Sequence, residues 1–263
     1  MIRIKSTACV LNLSCFCLIA AVLVLASPVQ SGEIDESQQN WLTHYGKQAN
    51  VPQPEQMLIN TDPEPTVTDE YVLLFNGKDL EGWKSRGGES PFEVVDGCIV
   101  STCKPNSPST YLCTEKSDYA DFVLTFETKF DVETNSGIML RAQAKGQDGN
   151  TVFGPQTEME PDSQDREWSG GIYGQSCGGW FYPLWLKEHA AVRKAQKKDD
   201  WNRVTISAQG GVIKTWLNGV PAAHWVTDTY LQGFFGLQMH KGAKGRVLWR
   251  NLKLKAMLST HAQ

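Results

Sequence analysis

The chain has 263 residues and a formal net charge of −4, with 25 basic and 29 acidic side chains. No basic stripe accompanies that balance, which argues against a nucleic-acid partner. Nine Trp, seven Tyr and ten Phe make the chain aromatic, a composition suited to a sandwich core and to ring-lined sites.

The N-terminus reads as an export signal. Arg3 and Lys5 are followed by an apolar stretch densest from Cys15 to Ala26, and then by Ser27 to Gly32, where Val29 and Ser31 suit signal-peptidase cleavage. Residues 1–31 are therefore expected to be removed, leaving a secreted or periplasmic protein with no membrane association. Four of the seven cysteines, Cys98, Cys103, Cys113 and Cys177, would remain. In an exported protein they permit two disulfides in any of three connectivities, and their spacing fits no zinc pattern.

Residues 32–68 are polar and contain proline. They are expected to be a linker, or a short docking helix around Trp41, Leu42 and Tyr45. From Tyr71 the texture changes to short alternating runs. Phe92–Val95 and Cys98–Ser101 flank Asp96-Gly97, a strong hairpin signal. Asp121–Phe130 alternates with period two, placing Phe122, Leu124, Phe126 and Phe130 on one face. Ser136–Ala142 reads as a strand with Ile138 and Leu140 on one face, and Met139 and Arg141 on the other. Gly154–Asp162, read as a strand, puts Gln156, Glu158 and Glu160 on a common face.

Tyr173, Trp180, Phe181, Tyr182 and Trp185 crowd a glycine-rich, loop-like segment. From Tyr71 onward Leu184–Lys198 is the only helical pattern, with Lys187–Lys198 expected as a solvated helix or lid. Val204–Ala208, Val212–Leu217, Val220–Trp225, Phe234–His240 and Arg246–Lys255 are the remaining strands, with a second hairpin at Asn218-Gly219. Many strands at short spacing without a βαβ rhythm predict an all-β, antiparallel jelly-roll β-sandwich over residues 69–257, with 258–263 as a tail.

Seven segments in order carry a resemblance: LFNGKDLEGW (Leu74–Trp83), NSGI (Asn135–Ile138), GGIYG (Gly170–Gly174), WN (Trp201–Asn202), WLNG (Trp216–Gly219), GLQMH (Gly236–His240) and RNL (Arg250–Leu252). Over Tyr71–Lys255 the chain resembles the 3-keto-disaccharide hydrolase family. The resemblance implies a concanavalin A-like lectin/glucanase fold, export, and cleavage of glycosides whose C3 hydroxyl has been oxidised to a ketone. A separate sugar 3-oxidase or dehydrogenase is then the implied upstream partner, since the chain carries no NAD fingerprint.

A C3 ketone acidifies the C2 proton, so elimination needs a base, an acid for the leaving oxygen and donors for the enolate. Glu158, Glu160 and His240 are the candidate acids and bases. Arg141, Gln156 and Gln238 are candidate contacts to sugar or enolate oxygens, and Tyr173 and Trp180 candidate stacking rings. No cofactor is expected, and a divalent metal beside the carboxylates is not supported by spacing. Two alternatives use the same residues. One is an endo-glycosidase on unoxidised polysaccharide, which needs two carboxylates at a defined separation. The other is a carbohydrate-binding module without activity.

Overall fold

Period-two alternation sorts most of this chain into strands, and two tight turns set the first registers. In the computed structural model, which describes residues 32–146, 148–161 and 163–257, Asp96 and Gly97 both have positive φ (50° and 75°), as do Asn218 and Gly219 (51° and 89°). These are the left-handed turns whose twist matches a two-residue hairpin. They pair Val95 with Cys98 and Leu217 with Val220. The expected signal segment 1–31 and tail 258–263 lie outside the described residues.

Among the described residues fifteen strands result: β1 (Val72–Leu73), β2 (Trp83–Gly87), β3 (Phe92–Val95), β4 (Cys98–Thr102), β5 (Thr110–Thr114), β6 (Phe122–Val132), β7 (Ser136–Lys145) and β8 (Thr151–Met159). They continue with β9 (Ile172–Gln175), β10 (Gly179–Tyr182), β11 (Asn202–Gln209), β12 (Val212–Leu217), β13 (Val220–Val226), β14 (Phe234–Met239) and β15 (Arg246–Ala256). One antiparallel sheet runs β13-β12-β11-β6-β15-β4-β3, with β1 also on β15. The other runs β10-β9-β8-β7-β14-β5-β2. This is the expected all-β sandwich.

The core lies between the sheets. Phe122, Leu124 and Phe126 of β6, Ile138 and Leu140 of β7, and Leu237 and Met239 of β14 are buried there. A second, smaller cluster of Tyr111, Cys113, Met139, Ala142, Val152 and Phe234 covers the opposite face of the second sheet. That outer face carries the candidate site.

Residues 32–68 do not hang free. Helix α1 (Gln39–Tyr45) is anchored where Gln38 Oε1 accepts from Trp168 Nε1 at 2.7 Å, and Asp35 pairs with Arg193. Farther on, the segment crosses the outer face of the first sheet. Asn60 Nδ2 donates to the Thr215 carbonyl at 3.0 Å, and Trp216 Nε1 to that of Asp62 at 2.9 Å.

Two expectations fail here. The helix expected over 184–198 shrinks to a 3-10 turn at Lys187–His189 and the single turn α2 (Ala190–Arg193). Leu184, Trp185 and Leu186 are all fully buried, and three consecutive residues cannot share one helix face. Nor is Arg193 solvated, since its guanidinium donates to the Leu184 and Leu186 carbonyls at 2.7 and 2.9 Å. The four cysteines are free thiols, and none lies opposite another in the sheet registers.

Candidate active site

Cross-strand rows on the outer face of the second sheet define the site. Tyr111 of β5 is level with Gln238 of β14, Gln238 with Gly137 of β7, and Gly137 with Glu158 of β8. The neighbouring row brings Met139, Gln156, Tyr173 and Trp180 level. Cβ atoms in one row point the same way. Glycine is required at 137 because the Gln156 side chain crosses above it. A Cβ there would lie 2.8 Å from Gln156 Nε2 and 2.5 Å from the Thr157 carbonyl oxygen.

That crossing builds a buried amide chain. Gln156 Nε2 donates to Glu158 Oε2 at 2.8 Å and to Gln238 Oε1 at 3.0 Å, while Gln238 Nε2 donates to the Tyr111 hydroxyl at 3.1 Å. Asn135 Nδ2 donates to the other Glu158 oxygen. Glu158 is 3% exposed at the base of a cleft of about 460 Å³. Burial, and secondarily the charge of Glu160, push its carboxyl up to about 8, against the opposing pull of Asn135, Arg166 and Gln156. Glu158 therefore keeps its proton at neutral pH.

Glu160 shares the strand face but not the cleft lining. The loop after β8 folds back over it, so that Oε1 is ion-paired to Arg166 and Oε2 accepts the Trp168 backbone N–H at 2.9 Å. Burial raises its carboxyl, opposed by Arg166 and that N–H. Arg166 is held in turn by the Tyr45 hydroxyl, 2.5 Å from Nη1, and sits 5.2–6.0 Å from the ring centres of Trp41, Tyr45, Trp168 and Trp180. An aromatic cage of this kind favours a fixed guanidinium. Arg166 lines the cleft while its Nε and Nη1 hold Glu160 and Tyr45.

His240 forms part of the same cleft lining, together with Lys241 and Ser109. Its Nδ1 lies 2.7 Å from the Lys241 carbonyl. A carbonyl only accepts, so Nδ1 carries the hydrogen and Nε2 the lone pair. Burial lowers the imidazole's affinity for a second proton, with the Lys241 carbonyl opposing. The cleft lining thus includes both a neutral base and a protonated acid.

Of the residues expected at the site, Glu158, His240, Tyr173 and Trp180 line the cleft, and Gln156 and Gln238 lie beneath it. Trp180 is 1% exposed, packed edge-on against Trp168 at 4.7 Å, so it is a wall rather than a free stacking ring. Glu160 is an anchor for Arg166. Arg141 is elsewhere altogether. Pairing passes from Met139–Gln156 to Gln143–Phe153, four residues against three, so β7 bulges and Arg141 takes φ 46°. The extra residue breaks the parity that would have put Arg141 on the outer face. Its guanidinium instead donates to the Ala120, Gly210 and Tyr230 carbonyls and pairs with Asp121.

Comparison with known proteins supplies the family. Residues 70–255 match the model of the 3-keto-alpha-glucoside-1,2-lyase-like domain. The chain belongs to this family. A curated 3-keto-disaccharide hydrolase of Bacteroides thetaiotaomicron is 23% identical over 92% of this chain and 96% of its own length. Among solved structures, one assigned as a glycosyl hydrolase from Parabacteroides distasonis has a TM-score of 0.52 at 20% identity, covering 75% of this chain and all of that one. A Bacillus subtilis protein with a galectin-like fold gives 0.53 at 12% identity, over 75% of this chain and 100% of its own. These likenesses confirm the sandwich, and membership in the 3-keto-alpha-glucoside-1,2-lyase-like family places the chain in carbohydrate chemistry.

Three residues of this family member's site escaped the sequence reading as functional candidates. Asn135 opens the NSGI run but was visible only as a landmark. Arg166 sits in an acid-rich loop that reads as solvated surface. Tyr45 reaches the site through α1, more than 100 positions away in sequence from the strand it serves.

Proposed function

We propose that the protein is an exported enzyme that cleaves 3-keto-glycosides by elimination and hydration, working from the Glu158–His240 cleft. His240 Nε2 removes the C2 proton made acidic by the C3 ketone, and the electrons pass into the enolate. Collapse of the enolate breaks the C1–O bond while Glu158 delivers its proton to the departing oxygen. The products of this half are an enone and a free alcohol. Water then adds at C1, returning its proton to Glu158, and the imidazolium returns its proton to C2. The Arg166 guanidinium lines the same cleft, where a fixed cation stabilises the charge that develops on the enolate oxygen.

The observation that carries the reading is the placement of Glu158, a buried carboxyl at the cleft floor met by Asn135 and Gln156, whose affinity for its proton burial raises. A two-carboxylate glycosidase needs a second, ionised carboxylate facing the sugar. Glu160 is committed to Arg166 and Trp168, which favours elimination over direct displacement. The ketone substrate is made by a separate sugar 3-oxidase or dehydrogenase.

The test compares 3-keto-trehalose and 3-keto-lactose with trehalose and lactose, following the released reducing sugar and the enone absorbance. Turnover of the keto sugars alone is expected. Turnover of the parent sugars would transfer the cleft to conventional glycosidase chemistry, and calorimetric binding without turnover would make it a lectin-like module.

A further inference from the structure

Beside the cleft lies a second depression of about 680 Å³, formed by the 105–108 loop and residues 241–243. The two meet at Lys241, which borders both. This shelf is a built surface. Cys103 N donates to the Gly245 carbonyl at 2.9 Å and Cys103 Sγ to that of Gly242 at 3.2 Å, lacing the two loops together at one end. At the other end Lys241 N donates to Ser109 Oγ at 3.0 Å. Between these ties, Pro105, Pro108 and Ala243 are exposed. The Ser107 hydroxyl offers little to a ligand, since it donates to the Pro108 carbonyl at 3.0 Å and accepts the Glu89 N–H at 2.7 Å.

We propose that this shelf receives the leaving group, and that it suits an apolar ring-shaped aglycone better than a second sugar. The inference rests on the elimination reading of the cleft. A glycoside whose sugar occupies the cleft has its aglycone outside it, and Lys241 is where the cleft continues onto a further surface. A sugar requires directional donors and acceptors, or an aromatic face to stack on, and the shelf has neither beyond Asn106 and Lys241. Rigid apolar proline and alanine surface favours an apolar ring through water exclusion.

Methyl, cyclohexyl and glucosyl 3-keto-glucosides test this, because the first two release alcohols of similar acidity. With the full chain, kcat/KM for the cyclohexyl compound is expected to exceed that of the methyl compound by about tenfold, the lower end of what one methylene is worth in an enclosed apolar pocket, as suits an open shelf. Ala243→Asp and, independently, Pro108→Ser are expected to reduce that ratio to about one to three, with the methyl compound changed less than about twofold. Equal values for methyl and cyclohexyl, a preference for glucosyl, or a cyclohexyl preference untouched by both variants would overturn the shelf while leaving the cleft chemistry standing. Absence of turnover with all three keto-glucosides would remove both.

Discussion

Arg141, within β7, and Arg166, in the loop after β8, are both held in place, and their partners differ in kind. Arg141 is fully buried and satisfied by three backbone carbonyls and Asp121. All three of its nitrogens are engaged in tying chain segments together at one end of the sandwich. Arg166 is held by one carboxylate and one phenol, caged by four rings, and left facing a cleft. A guanidinium satisfied by carbonyls is a staple that cannot be recruited without unfolding something. One oriented by side chains at the edge of a cleft is preorganised for a charge that has yet to arrive. Charge alone does not separate them. What they are bonded to does.

The comparison is tested hardest on the cleft side by Glu158→Gln. The amide keeps the shape of the carboxyl but cannot shuttle a proton, so kcat/KM on a 3-keto-disaccharide is expected to fall about 10²–10⁴-fold with the fold intact. The pH profile of the unmutated protein should fall as pH rises through about 8, where Glu158 loses its proton, and fall on the acid side below the ordinary histidine value, as His240 gains one. Stability moves with the same group. The folded state holds the Glu158 proton between 4.5 and about 8 while the unfolded state has released it, so folding is favoured at the low end and weakens as pH rises. Urea unfolding should show the unmutated protein losing ground to Glu158→Gln across that window. A constant difference would argue that Glu158 is already ionised.

On the staple side, Arg141→Met leaves three carbonyls and Asp121 buried without their donor. Loss of one partner of a buried ion pair costs about 3–5 kcal/mol, measured as a lower urea midpoint. Arg166→Lys should do the reverse. The ammonium keeps the charge but loses the fork that reaches Glu160 and Tyr45 together, so kcat is expected to drop about 10–100-fold with a small change in midpoint. If Arg166→Lys instead unfolded the protein while Arg141→Met left it stable but inactive, the two roles would have to be exchanged.

The contrast also explains what could be read from the residues alone. Asp96-Gly97 and Asn218-Gly219 were legible because a hairpin turn is decided by its own two residues. Gln156 and Glu158 were legible because a strand without interruption keeps its parity. Arg141 was not, since the bulge that flips it depends on how β7 meets β8. Gly233 packs so closely on its carbonyl that a Cβ would lie 2.2 Å from the Arg141 carbonyl carbon. Arg166 and Tyr45 were invisible for the complementary reason. Neither has a local pattern that betrays a role, and each acquires one only when a loop and a distant helix are brought to the same strand end. Strand faces are local information, whereas the completion of a site is not.

The smallest expected effect discriminates most finely. Tyr45→Phe keeps the ring beside Trp41 and Trp168 and removes only the hydroxyl that meets Arg166 Nη1. One hydrogen bond to a charged group is worth roughly 1.5–3 kcal/mol, part of which the Glu160 contact and the cage replace. The rate on a 3-keto-disaccharide is therefore expected to fall about three- to tenfold in kcat, with KM nearly unchanged, because a loosened guanidinium loses its grip on the enolate rather than on the bound sugar. A rise in KM at constant kcat would make Arg166 a contact to the ground-state sugar. No change in either would mean that the four rings and Glu160 suffice to hold it, and that α1 serves the site only as a wall.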